Sequence, residues 1–353
     1  MNKELSRKFT VLSFISMILV VILHANNMVI NLSSGNIIVP KGYNSFIQDF
    51  FTQGIARIAV PLFFIISGYL YFLNIKGTFS EFKNKISKRI KTILIPYLFW
   101  SCWGLVFYSI LQSLPMAQNF FTNGLIKDMP LEEILKIFLF NPLPFQLWFL
   151  RDLMILVVFS PLLFFAIKYL RGLAILLAFI PWISGYFYGF INTDSLLFFM
   201  SGGYLAIFDK LVMFDGKKYA YLLFSLWILL VIINSIFLFQ GISIFDFWMS
   251  VLNKSTLLVG IIAIWTIYDK LHSKINIATI NPIINFSFFL YAFHEPVLTI
   301  TKKSLFFILG NSQHVSFSVY ILAPILTIVL SLSVGFLSKK YIPKIYYLAT
   351  GGR

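Results

Sequence analysis

The sequence predicts an all-α fold, a polytopic membrane helix bundle of about ten transmembrane helices with both termini cytoplasmic. Residues 1–353 are expected to form a single domain with no additional soluble domain. Three observations predict it. Hydrophobic residues make up 59% of the chain and charged ones only 12%, against about a quarter charged in soluble domains. Apolar runs long enough to cross about 30 Å of hydrocarbon recur along the whole length. Most of the 28 Lys and Arg collect in every second connection, as the positive-inside rule requires.

The same composition excludes several classes. A mean hydropathy of +0.86 is incompatible with disorder or with an ordinary soluble enzyme. Cys102 is the only cysteine, so an intrachain disulfide and a Cys-rich zinc site are out. A net charge of +15 would suit nucleic acid, but the cations follow membrane topology instead, and no nucleic-acid partner is expected.

In order, the apolar runs cover residues 9–30, 46–73, 92–114, 143–167, 172–189, 192–208, 219–239, 246–268, 281–301 and 316–338. The first is about 22 residues long with no small-x-small cleavage site after it, so it is expected to stay as a signal anchor. With the N-terminus inside, Lys3, Arg7, Lys8, Lys76, the cations of residues 83–91, Lys168, Arg171, Lys210, Lys217, Lys218, Lys270, Lys274, Lys339, Lys340, Lys344 and Arg353 are cytoplasmic. Lys41, Lys127, Lys136, Lys302 and Lys303 then lie outside. Connections are short except 31–45, 74–91 and 115–142, and no internal repeat argues for an inverted-repeat transporter.

An ionisable side chain in hydrocarbon costs at least about 2.5 kcal/mol, so such groups face a protein or water-filled interior. Here they are His24, Arg57, Arg151, Asp152, Lys254, His294 and Glu295. At a rise of ~1.5 Å per residue, His24 lies roughly 22 Å above the cytoplasmic end of its run, and the other six fall in a similar layer from mid-membrane to the outer face. That convergence is what one polar cavity opening outward requires. His24 is the side chain best matched to proton transfer near neutral pH.

Other features have structural readings of equal weight. Arg151 and Asp152 sit near a membrane end, where snorkelling or an ion pair accounts for them, and neighbours on a helix point about 100° apart. His294 precedes Glu295 and Pro296, where a loosened helix frees carbonyls for polar neighbours. No His-x-x-x-His or Glu-x-x-His spacing exists, so no metal is expected. The basic stretch with Lys85, Lys88, Arg89 and Lys91 either anchors anionic lipid headgroups or binds a cofactor's phosphates. Trp148, Trp182 and Tyr186 suit an interfacial belt better than sugar stacking.

Several segments together carry a resemblance. ILVVILH (18–24), VPLFFIISGY (60–69) with Arg57 before it, ISKRIKTILIPY (86–97), LWFLRDL (147–153) with SPLL (160–163), and SFFLYAFH (287–294) occur in this order. The chain thereby resembles the acyltransferase-3 family of integral membrane acyltransferases over nearly its whole length. One departure stands out: the family carries Arg eleven residues before the histidine of the first span, and Ser13 stands there in this chain.

The resemblance implies transfer of an acyl group, usually acetyl, from cytoplasmic acetyl-CoA to a hydroxyl of an extracytoplasmic or lipid-linked glycan. The expected catalytic set is His24, Arg57, His294, Glu295, Arg151 and Asp152, with Lys85, Lys88, Arg89 and Lys91 at the donor. His24 would act as general base or carry the acyl group transiently. Arg57 would stabilise the oxyanion. Expected partners are the glycan or lipid-linked saccharide, acyl-CoA, membrane lipids and envelope-biosynthesis proteins, at a bacterial inner membrane. Two other readings use the same residues: an exporter of a glycan or lipid-linked precursor, and an inactive relative acting as a scaffold, which Ser13 keeps open.

Overall fold

The structure, a computed structural model, describes residues 3–32, 35–115, 121, 124–185, 189–209, 216–242, 247–272 and 283–352. Helices dominate: α1 (Lys3–Leu23), α2 (Tyr43–Phe72), α3 (Phe79–Ser113), α4 (Leu131–Leu139), α5 (Trp148–Val158), α6 (Ser160–Leu170) and α7 (Gly172–Ser184). They continue with α8 (Thr193–Ile207), α9 (Ala220–Phe239), α10 (Phe247–Leu271), α11 (Ser287–Leu309), α12 (Gln313–Tyr341) and α13 (Pro343–Thr350). A two-stranded antiparallel hairpin, β1 (Val29–Leu32) and β2 (Gly35–Ile38), follows α1.

Every apolar run read from the sequence falls on a helix, and the all-α membrane fold holds. Among the described residues, six helices are long and apolar enough to cross a membrane, and the pair around α5 and α6, bent by 66°, makes a seventh if counted as one crossing. The remaining runs lie on α7, α8 and α11. The first two are short, and α11 is kinked at Glu295, just before Pro296.

Three local expectations change. The run 9–30 stops being helical at Leu23, because Asn26 and Asn27 turn the chain into the hairpin. Residues 74–91, expected as a connection, are helical from Phe79 onward, where Glu81 accepts from the backbone of Gly77 and Thr78 and closes the entry. The 115–142 connection contains α4, whose leucines are exposed on one face. Tyr186 lies outside the described residues.

The chain forms two compact units. The first comprises residues 1–20, 49–89 and 152–284, and the second residues 21–48, 90–151 and 285–353. Two of the passages between them, at Asp49 in α2 and Ile90 in α3, coincide with the first residue of a π-helical stretch. Extra residues per turn at those points leave backbone bonds imperfect, which long helices tolerate at few places.

In the first unit α2 and α8 pack backbone to backbone. A Cβ on Gly68 would lie 2.1 Å from the Phe199 carbonyl oxygen, and one on Gly202 would lie 2.0 Å from that of Ile65. Lipid tails are as apolar as leucine, so close approach through small residues is what associates helices here. Ile58, Leu62, Trp227, Val231 and Ala263 pack α2, α9 and α10 into one core. Lys8 completes the unit at the start of α1, 2.6 Å from Asp269 and over the ring of Trp265.

The second unit is aromatic. Trp100 stacks edge-on against Phe289 and Phe293, and its Nε1 donates to the Ala349 carbonyl, which ties α3 to α11 and α13. Gly202→Ala should cost about 1–3 kcal/mol or more, because the three atoms nearest the added Cβ are backbone atoms that cannot yield. Thermal unfolding in detergent checks this, with Gly172→Ala, which meets open space, as the unaffected control.

Candidate functional site

The site begins with a helix break. Pro296 cannot donate to the Ala292 carbonyl, and the residue before a proline is pushed out of the helical region. Glu295 accordingly has φ −107° and ψ 136° inside α11, and the Glu295–Pro296 peptide is cis. Gln146, just before α5, supplies the missing donor. Its Nε2 donates to the carbonyls of Ala292 (3.0 Å) and Glu295 (3.1 Å). The Tyr291 hydroxyl in turn donates to the Gln146 carbonyl at 2.7 Å.

His294 is the last residue before the break and is wholly buried. Its Nδ1 lies 2.7 Å from the Tyr291 carbonyl, an acceptor only, so Nδ1 carries the proton and Nε2 keeps its lone pair. That Nε2 has no partner among the described residues, and neither do Oε1 of Glu295 and Oε1 of Gln146. Glu295 uses its other oxygen to accept from the backbone N–H of Thr299 at 3.2 Å, one turn further along α11.

The His24 ring lies parallel to that of His294, with centroids 5.7 Å apart and planes 16° apart. Phe145 meets the His24 ring edge-on at 4.8 Å. His24 follows the last helical residue of α1, where carbonyls have lost their helical donors. Lys302 replaces them: its Nζ donates to the carbonyls of His24 (2.6 Å) and Asn26 (3.2 Å). A knot beyond it holds the chain: Asn27 and Gln48 exchange two bonds, and the Ser316 hydroxyl donates to Oδ1 of Asn27 at 2.7 Å. The position of His24 is therefore set by α2, α11 and α12, not by its own helix alone.

The other expected residues have definite partners. Arg151, also in the second unit, donates to the Phe140 carbonyl at the end of α4 (2.9 Å). Asp152, in the first unit, accepts from the backbone and side chain of Asn192 and from Ser195, capping the start of α8. Arg57 donates from Nε to Oε1 of Gln53 (2.9 Å) and has Asp194 as its electrostatic neighbour. Asp194 accepts from Nε1 of Trp182, while Lys254 donates to the Ile183 carbonyl, so the first unit holds a second ionisable group.

On α3, Lys85 donates to the carbonyls of Tyr71 and Leu73 and caps the end of α2. Arg89 is half-buried, whereas Lys88 and Lys91 are exposed. Among the described residues no three His, Cys, Asp or Glu side chains group as a metal site would need.

Sequence reasoning did not single out Gln146 or Lys302 for the site, nor Asp194. A faint signal existed for Gln146, an isolated amide at the start of an apolar run in a chain whose Pro296 leaves a carbonyl unserved. Lys302 reads from the sequence as an outside cation, and only the fold brings it to His24.

The family model described as Acyltransferase domain matches residues 8–338. The succinoglycan biosynthesis protein ExoH of Rhizobium meliloti (strain 1021) is 26% identical over 349 residues, covering 93% of this chain and 91% of that protein. No solved structure matches the chain.

Gln146→Leu keeps the bulk of the side chain but leaves two buried carbonyls without donors, at about 1–3 kcal/mol each. It should lower stability by roughly 2 kcal/mol or more in thermal unfolding of the purified protein. An unchanged melting curve would mean that the broken turn draws its donors from elsewhere.

Proposed function

As the chain belongs to the acyltransferase-3 family, and is a membrane acyltransferase on that ground, we propose that it O-acylates a glycan, taking acetyl from acetyl-CoA and using His24 as general base. The observation that carries this reading is the stacked pair of His24 and His294, one at the end of α1 and the other fixed in a single tautomer at a helix break. The likeness to a succinoglycan biosynthesis protein supports a polysaccharide acceptor. The two units belong to one functional membrane domain in this reading, since the family match runs through both.

A sugar hydroxyl is a poor nucleophile until its proton is removed. His24 accepts that proton as the oxygen bonds to the acyl carbon, and returns it to the departing thiolate as the carbon–sulfur bond breaks. His294, held with Nδ1–H on the Tyr291 carbonyl, adds no charge beside the imidazolium that forms at His24. Lys302 keeps the backbone of His24 in place, so little reorganisation is needed during transfer.

Donor binding is assigned to the basic stretch with Lys85, Lys88, Arg89 and Lys91, of which Lys88 and Lys91 are exposed; a cytoplasmic donor is what the family resemblance implies. The inner membrane of a bacterium is the setting this reading implies.

His24→Ala should reduce transfer by about 10²–10⁴-fold. The measurement is the base-labile O-acyl content of surface glycans in a deletion strain complemented with wild type, the variant or empty vector at equal expression. Unchanged ester content in the variant removes His24 as the base. Ester content that never varies while glycan disappears from the surface replaces the enzyme by an exporter.

A further inference from the structure

The second unit contains a cavity of about 660 Å³ that the catalytic residues do not line, a volume typical of small-ligand sites (~300–1,000 Å³). Its walls come from the end of α3, the segment leading into α4, α4 itself and the part of α11 beyond Pro296. We propose that this cavity is a saccharide subsite that holds a short oligosaccharide segment of the acceptor glycan. The inference rests on the acyltransferase reading and extends it to where the acceptor sits.

The walls are built in advance. Gln112 accepts from the Ile126 backbone N–H at 2.8 Å and donates to the Gly124 carbonyl, which fixes the segment before α4. Tyr97 and Ser101 donate to the carbonyls of Leu139 and Phe138, holding the end of α4 against α3. A preformed concavity loses little entropy on binding.

The lining is mostly apolar, with Leu111, Ile126, Met129, Ile137, Leu143 and Ile300 beside a minority of polar groups, the usual make-up of a small-ligand site. Tyr108 and Phe121 meet edge to face, centroids 5.6 Å apart, in a corner that offers aromatic surface to the C–H face of a pyranose. Around them stand a carboxylate (Glu133), an amide (Asn141), a hydroxyl (Thr299) and an ammonium (Lys303). Acceptors and donors in one site suit hydroxyls, which are both. An isoprenoid or acyl chain would match the apolar wall but offer no hydrogen bond to those groups.

The location fits as well. Thr299 lines the cavity, and its backbone N–H bonds Glu295, the neighbour of His294. Tyr108, which also lines the cavity, is an electrostatic neighbour of the same carboxylate.

The test is direct binding to the full chain in detergent. The probe is fluorescently labelled oligosaccharide released by mild acid from the surface polysaccharide of the deletion strain, titrated with and without farnesyl phosphate. Wild type and His24→Ala should bind alike. Tyr108→Ala and Glu133→Gln should each weaken binding roughly fivefold or more, while Tyr108→Phe stays within about twofold. Glu133 is exposed, so its variant reports on binding without risk to folding.

Equal binding by wild type, Tyr108→Ala and Glu133→Gln overturns the cavity as the subsite. Loss of the probe to farnesyl phosphate at equimolar amounts, or farnesyl phosphate binding without saccharide binding, replaces the sugar by a lipid carrier and also overturns it. Absence of binding by wild type overturns it too, and ester formation by the same preparation then decides whether the acyltransferase reading falls with it.

Discussion

A backbone carbonyl released inside a membrane protein must be given a donor, and at the Pro296 break that donor is Gln146. Water is absent from hydrocarbon, so each unserved group costs several kcal/mol. Most of the candidate site follows from that one repair. Gln146 bridges Ala292 and Glu295 across the break, Tyr291 holds Gln146 from the other side, and the Tyr291 carbonyl sets the proton of His294. A broken helix thereby becomes a rigid support for an imidazole.

The end of α1 repeats the principle with a different residue. There the orphan carbonyls take an ammonium, that of Lys302, and the reach of a lysine from α11 links the helix carrying His294 to the turn carrying His24. Charge on Lys302 is thus used for backbone satisfaction, as it is on Lys85 at the end of α2 and on Lys254 beside Ile183. Three cations that hydropathy alone would assign to lipid headgroups or to a reaction end helices instead.

Polar side chains in this chain divide by how completely they are served. Asp152, with three donors at the start of α8, resembles an ordinary helix cap. Glu295 and His294 each keep one atom unserved in full burial. These are two of eleven such atoms among the described residues, each of which calls for a ligand, a water or a strained contact to account for it.

The sequence by itself determined the fold class, the apolar segments and the family, and it marked His24 and His294 as candidates, because each of these is written in local composition, run length or short motifs. Hydropathy is a property of consecutive residues, and a bilayer reads it segment by segment. It did not determine that α1 would stop at Leu23, that residues 79–89 would be helical, or that the ionisable residues would divide between two compact units. Nor did it reveal Gln146, Lys302 or the cavity beside Tyr108, whose partners lie 145, 278 and about 190 positions away in the chain. Hydrogen bonds act over about 3 Å of space without regard to distance along the chain, so only the tertiary structure could decide which donor would meet which orphaned carbonyl.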